Sequence, residues 1–162
     1  MTSQAFCCDC LEGFKSLSDA SIDLTVTSPP YDNLRTYKGY TFEWKPVLEE
    51  LYRVTKQGGV VVWIVNDATV NGSETGTSFK QALYAMECGF NLHDTMIWKK
   101  DSCAFPEETR YYPNFEYMFI FSKGKPKTLN LIEKLAASVS LWRLSCNMDL
   151  EAARVAYEGM KG

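Results

Sequence analysis

A chain of 162 residues with 46% hydrophobic and 23% charged residues is long and apolar enough for one packed domain. Its net charge of −3 excludes attachment to nucleic acid by overall charge, so any contact with phosphate has to come from local basic clusters. No apolar run approaches a membrane span and no charged-then-apolar segment opens the chain, so a cytoplasmic protein with no membrane partner is expected.

Residues 5–14 begin with an apolar stub and carry Asp9. Cys7, Cys8 and Cys10 flank that aspartate, but no second paired cluster exists and the single histidine, His93, is distant. The six cysteines therefore read as buried or bystander thiols, and no metal is expected. Residues 22–27 are apolar and β-branched, which predicts a strand. The strand runs into Ser28-Pro29-Pro30-Tyr31. Neither proline has an N–H and each fixes its own φ, so the chain leaves the sheet as a stiff loop. That loop offers a hydroxyl, two backbone carbonyls and one aromatic ring.

Either this is a proline-terminated strand of no chemical meaning, or its acceptors and stacking plate, without a strong base, suit methylation of an exocyclic amine of adenine or cytosine. The amine lone pair is delocalised into the ring, so the nitrogen is a poor nucleophile. Ser28 and the Pro29 carbonyl can hold its N–H groups and localise the pair, and Tyr31 can stack on a base swung out of the helix. Transfer from a sulfonium donor needs alignment more than proton abstraction.

Residues 32–40 are polar, contain glycine and lack any period, which predicts a loop over the site. Its Arg35 and Lys38 suit phosphates and its Tyr37 and Tyr40 suit stacking, unless it is a solvated loop with tyrosines folded onto the surface. Val47, Leu48, Leu51, Tyr52 and Val54 mark one face of a helix over 43–56, ended by Gly58-Gly59. A fully buried strand is expected over 60–65, with Asn66 and Asp67 at its end, where the ligand crevice of an open α/β sheet lies. After a turn-rich break at 71–76, a helix over 78–87 with Phe79, Ala82, Leu83 and Met86 on one face is closed by Gly89. Asn91 to Trp98 reads as a strand. The alternation argues a doubly wound α/β domain.

The stretch 99–113 mixes Lys99 and Arg110 with aromatics, as a DNA-facing surface does, or as a connection packed by its own rings does. Residues 114–121 form an aromatic strand beginning Asn114-Phe115-Glu116-Tyr117. Lys123 lies in a basic turn, 122–127, that suits phosphate about as well as solvent.

Ser-Pro-Pro-Tyr after an apolar strand resembles the catalytic motif of the DNA amino-methyltransferases, which make N6-methyladenine or N4-methylcytosine. The strings Asp9-Cys10-Leu11-Glu12-Gly13, Ser21-Ile22-Asp23-Leu24 and Thr27 through Tyr37 resemble those members whose catalytic half precedes the cofactor half. The resemblance spans roughly residues 5–132 and implies a Rossmann-like methyltransferase fold with a doubly wound, incomplete sheet. It implies S-adenosylmethionine as cofactor and double-stranded DNA as partner. Ser28, Pro29, Pro30 and Tyr31 take the catalytic places, and Asp9 and Thr27 the cofactor side. Phe115, Arg35, Tyr37, Lys99, Arg110 and Lys123 fall on the substrate side, with Phe115 against the flipped base.

Two departures stand out. Cys8 replaces the glycine that precedes the aspartate in the family, and the Gly-rich loop that cradles the methionine part of the donor is missing. Residues 1–132 are thus expected to form the catalytic domain and 133–162 a divergent helical tail with a helix over 148–158. The alternative is a non-catalytic, truncated methyltransferase-like subunit that needs a partner chain. A sheet without its neighbouring strands keeps an open edge, so a second chain completing the cofactor site, or a homodimer, is expected.

Overall fold

The computed structural model describes residues 3–30, 32, 42–101, 110–111 and 114–128. The chain divides into two compact units, Met1–Lys127 and Thr128–Gly162, and all of the second but Thr128 lies outside the described residues. The domain boundary expected at 132 and the helix expected over 148–158 fall there too.

The first unit runs α1 (Cys10–Phe14), β1 (Ile22–Thr27), α2 (Trp44–Val54), β2 (Thr55–Val65), β3 (Thr69–Val70), β4 (Ser73–Glu74), α3 (Thr77–Glu87), β5 (Asn91–Lys99) and β6 (Phe115–Ser122). Four strands form one sheet in the order β1-β2-β6-β5. β1 and β2 are parallel, as a strand-helix-strand unit requires, and β6 runs antiparallel to both of its neighbours. This is a mixed α/β sheet of Rossmann-like type.

One face of the sheet is covered. Val61, Trp63 and Val65 of β2 and Phe119 and Phe121 of β6 pack against Val47, Leu48 and Leu51 of α2 and Ala82 and Ala85 of α3. Gln81, almost fully buried, accepts a hydrogen bond from the Trp63 indole N–H at 2.7 Å, so the one polar group of that ring is satisfied inside the core. The other face has no described cover. Register places Leu24 and Val26 beside Val60 and Val62, then Met118 and Ile120, then Met96 and Trp98. Leu24 is 59% exposed, Val26 62%, Met96 50% and Trp98 55%. β2 is therefore buried on one side and half-buried on the other, not fully buried as the unbroken run Val60–Val65 suggests. An apolar run does not reveal whether both layers over a sheet are present.

Two other expectations shift. α2 ends at Val54, not at the glycine pair, because Thr55 turns extended and its hydroxyl donates to the Leu51 carbonyl at 2.6 Å. Gly58 and Gly59 lie inside β2 at an irregular register with β1. Gly58 has φ +79°, which glycine adopts without strain, and a Cβ on Gly59 would come within 2.9 Å of the Lys56 carbonyl oxygen. α3 presents Ser78, Gln81, Ala82 and Ala85 to the core, whereas Phe79, Leu83 and Met86 are 46–60% exposed. Small and polar residues face inward there, with Gln81 serving Trp63, while the larger side chains are left outside.

Candidate functional site

β1, β2 and β5 run the same way and β6 against them, so four chain ends meet at one edge of the sheet. Thr27 closes β1 level with Trp63 and Phe119, Val65 stands opposite Tyr117, and Lys99 opposite Phe115. At that edge Ser28 is exposed, Pro29 buried and Pro30 half-buried. The buried proline anchors a turn whose serine faces solvent.

Hydrogen bonds tie the rim together. Asn66 donates its side-chain amide to the Phe115 carbonyl at 3.2 Å and accepts from the Asp67 N–H at 2.9 Å. Asp67 accepts from the Ser78 N–H at 2.8 Å, capping α3, whose own N-cap position is Gly76. Asp32, immediately after the motif tyrosine, accepts from the Ala68 N–H at 3.2 Å and from the Thr75 hydroxyl. Phe115 meets Tyr117 edge-on with ring centroids 5.3 Å apart, and Tyr117 stacks on Phe119. Burial, then the carboxylates of Glu74 and Asp67, raise the Tyr117 pKa, so this phenol stays neutral at the rim.

The structure thus gathers Thr27, Ser28, Pro29, Pro30, Phe115 and Lys99 at one end. Arg110 donates to the Gly72 carbonyl at the tip of the β3–β4 hairpin, which fills the break expected at 71–76. Tyr31, Arg35 and Tyr37 lie outside the described residues. Lys123 is not brought to the site. It lies just past the far end of β6, its ammonium 4.3 Å above the Tyr52 ring and donating to the Tyr52 carbonyl at 2.7 Å. Asp9 caps α1, its Oδ1 accepting from the Leu11 N–H at 2.9 Å. Burial followed by the neighbouring Asp9 charge raises the Cys10 pKa, which leaves an ordinary thiol. Among the described residues no three His, Cys, Asp or Glu side chains are grouped to hold a metal.

Among the described residues, one hollow of about 290 Å³ lies between α2 and α3, lined by Glu49, Tyr52, Tyr84, Glu87 and Cys88, and another lies beside Leu11 and Arg53. Neither contains a rim residue. Sequence reasoning places Asn66 and Asp67 here but passes over Asp32 and Thr75. The available signal is an aspartate directly after a proline-stiffened motif, since Asp tolerates left-handed backbone and accepts hydrogen bonds locally.

A family model described as DNA methylase matches residues 22–156, most of the chain. Among curated relatives, the orphan methyltransferase M.BamHII of Bacillus amyloliquefaciens is 67% identical over 118 residues, covering 73% of this chain and 44% of that protein. Among solved structures, TTHA0409 of Thermus thermophilus, assigned as a DNA modification methylase, matches with 26% identity and a TM-score of 0.58 over 80% of this chain and 56% of its own. The same protein has been crystallised with S-adenosyl-L-methionine. The cytosine-N4-specific PvuII DNA methyltransferase shares the fold, with 22% identity, a TM-score of 0.62 and coverage of 80% and 52%. The chain spans about half the length of these proteins.

Proposed function

The chain belongs to the DNA methylase family, and from that premise we propose that it is the acceptor-binding, catalytic part of an S-adenosylmethionine-dependent DNA methyltransferase acting on N4 of cytosine or N6 of adenine. The observation that carries this reading is the Ser28-Pro29-Pro30 turn, with its serine exposed and its first proline buried, at the edge where Phe115 and Lys99 also end.

The roles follow from chemistry. Ser28 and the Pro29 carbonyl accept from the amine, drawing its lone pair out of conjugation. Pro30 stiffens the turn, Tyr31 stacks on the flipped base and Phe115 backs it. Arg35, Tyr37, Lys99 and Arg110 are the residues proposed to contact the DNA. Lys123 is left out of that surface because its ammonium is engaged on Tyr52.

The donor, when bound, supplies an electrophilic methyl group. A Cβ added at Gly58, Gly59, Gly89 or Gly124 would meet the protein's own Lys127, Thr55, Tyr52 or Gln57, whereas at Gly72 and Gly76 it would meet open space, and Asp9 is engaged as a helix cap. Asp9 and Thr27 contribute one side of the pocket, and polypeptide beyond the described residues contributes the rest. A second protein chain, or a second copy of this one, is the partner proposed to complete it, which the bare sheet face supports. That observation also favours the second reading, a non-catalytic subunit that retains the fold and binds a partner. The type II methyltransferases among the relatives support a place in restriction-modification, and a cytoplasmic location goes with it. No helix among the described residues is long and apolar enough to cross a membrane.

Transfer of labelled methyl groups to duplex DNA tests the reading. Ser28→Ala is expected to lower kcat by about a hundredfold, the scale of losing a preorganised polar contact, and Tyr31→Ala by about tenfold or more, the scale of losing a base–aromatic stack, with the circular dichroism spectrum unchanged. Full activity in both variants removes the proposed roles.

A further inference from the structure

We infer that Asp32 is a positioning residue whose carboxylate clamps the Ser28–Pro30 turn to the connection between β2 and α3. The inference rests on the function proposed above and adds a residue to its machinery.

Asp32 is two residues beyond Pro30 and has φ +47°, a left-handed backbone that Asp and Asn tolerate better than other side chains. From there its Oδ2 reaches the Ala68 N–H at 3.2 Å and the Thr75 hydroxyl. Thr75 Oγ1 also lies 3.2 Å from Asp67 Oδ1, which holds the Ser78 N–H in the first turn of α3. A hydroxyl has one proton, and the closer contact assigns it to Asp32. Ala68 and Ser78 are buried, so the far side of the clamp is part of the packed unit. Through Asn66 the same connection holds the Phe115 carbonyl.

The consequence is geometric. Proline rigidity fixes the shape of the turn and the buried Pro29 seats its entry, but neither fixes its exit. Asp32 pins the turn's exit to the segment that also fixes Phe115. Acceptors that align an amine have to hold within about half an ångström, and a turn anchored only at its β1 end does not. The short Asp side chain fits, because its carboxylate meets Ala68 and Thr75 while the backbone stays left-handed.

Hydrogen exchange read by mass spectrometry on the full chain tests this without requiring turnover. Asp32→Ala and Asp32→Gly are expected to raise exchange at Ala68, whose N–H donates to the Asp32 carboxylate, roughly tenfold to a hundredfold, the scale of losing one bond to a charged acceptor. Peptides from the cores of β2 and β6 stay protected. Asp32→Asn, which keeps an acceptor and the backbone preference, stays near wild type, and Thr75→Val falls between. Wild-type protection in Asp32→Gly would mean that backbone conformation alone sets the turn, and a uniform rise across β2 and β6 would mean general destabilisation. Either result overturns the clamp. In the methyl-transfer assay Asp32→Ala lowers kcat at unchanged KM for S-adenosylmethionine, and an active wild type with an equally active Asp32→Ala also overturns it. A wild type that transfers no methyl group removes the proposed function, while the exchange pattern still decides whether the clamp exists.

Discussion

Replacing Arg53 with methionine should loosen the N-terminal segment that carries Asp9. The guanidinium, 30% exposed, donates to the Leu17 carbonyl at 3.0 Å and to the Phe14 carbonyl at 2.9 Å, and pairs with Asp19 at 2.6 Å and Glu50 at 2.7 Å. It is the hub between α2 and the turn after α1. The two carbonyl bonds are worth about 1 kcal/mol each in net stability. The Glu50 pair, within one helix, adds about 0.3–0.5 kcal/mol, and the Asp19 pair, whose carboxylate is 79% exposed, adds little after solvent screening. Methionine keeps the apolar stem in place. The expected loss is therefore about 2–3 kcal/mol, or roughly 5–10 °C in Tm for a domain of this size. It should be read by urea titration followed by circular dichroism. The bonds from Ala20 N–H to the Arg53 carbonyl and from Ser21 N–H to the Val54 carbonyl remain, so exchange should rise in residues 9–18 before it rises in β1. A loss under about 0.5 kcal/mol would refute the reasoning and reduce Arg53 to a surface ion pair.

Gln81→Leu should cost about 1–3 kcal/mol, because the Trp63 indole N–H is then buried without an acceptor; urea titration checks it. The hydrogen bond and charge of Arg53 hold the Glu50 carboxyl below its ordinary pKa. Its contribution to stability is therefore complete above the ordinary carboxylate range and disappears as the pH falls through the lowered value, and Glu50→Gln should flatten that acid limb of the Tm-against-pH curve. The hydrogen bond to Glu49 pushes Tyr84 up to about 12, so stability should decline between about pH 10 and 12, and Glu49→Gln should return the phenol's ultraviolet titration toward 10. Leu24→Glu with Val26→Glu should change the chain's own stability by no more than about 0.5 kcal/mol, since both are mostly exposed. The same pair should abolish any association made through that face, read by sedimentation velocity.

Much of the fold is legible in the sequence because punctuation is strong. Prolines end β1 at Thr27, and the spacing of Val47, Leu48 and Leu51 gives the buried face of α2. Gly89, with φ +111°, closes α3 where expected. What is not legible depends on contacts between distant residues. The Gly58-Gly59 pair reads as a helix stop, yet the pair lets β2 begin early against Lys123, whose N–H donates to the Gly59 carbonyl. The inward face of α3 carries Gln81, the acceptor of the Trp63 indole N–H, and periodicity alone does not reveal that contact. In the sequence Lys123 suits phosphate about as well as solvent, and its contact with the Tyr52 ring is not legible there. At the site, the sequence presents the Ser-Pro-Pro-Tyr motif plainly, whereas Asp32 becomes meaningful only when Ala68 and Thr75 are found beside it.

The central claim concerns which atom receives the methyl group. Unmethylated duplex DNA should be incubated with the chain and S-adenosylmethionine, with and without the part of M.BamHII that this chain does not match, then digested to nucleosides and analysed by mass spectrometry. The account predicts N4-methylcytosine or N6-methyladenine in at least one mixture, lost in Ser28→Ala. No methylated nucleoside in either mixture, or methylation of a ring carbon as in 5-methylcytosine, would contradict it.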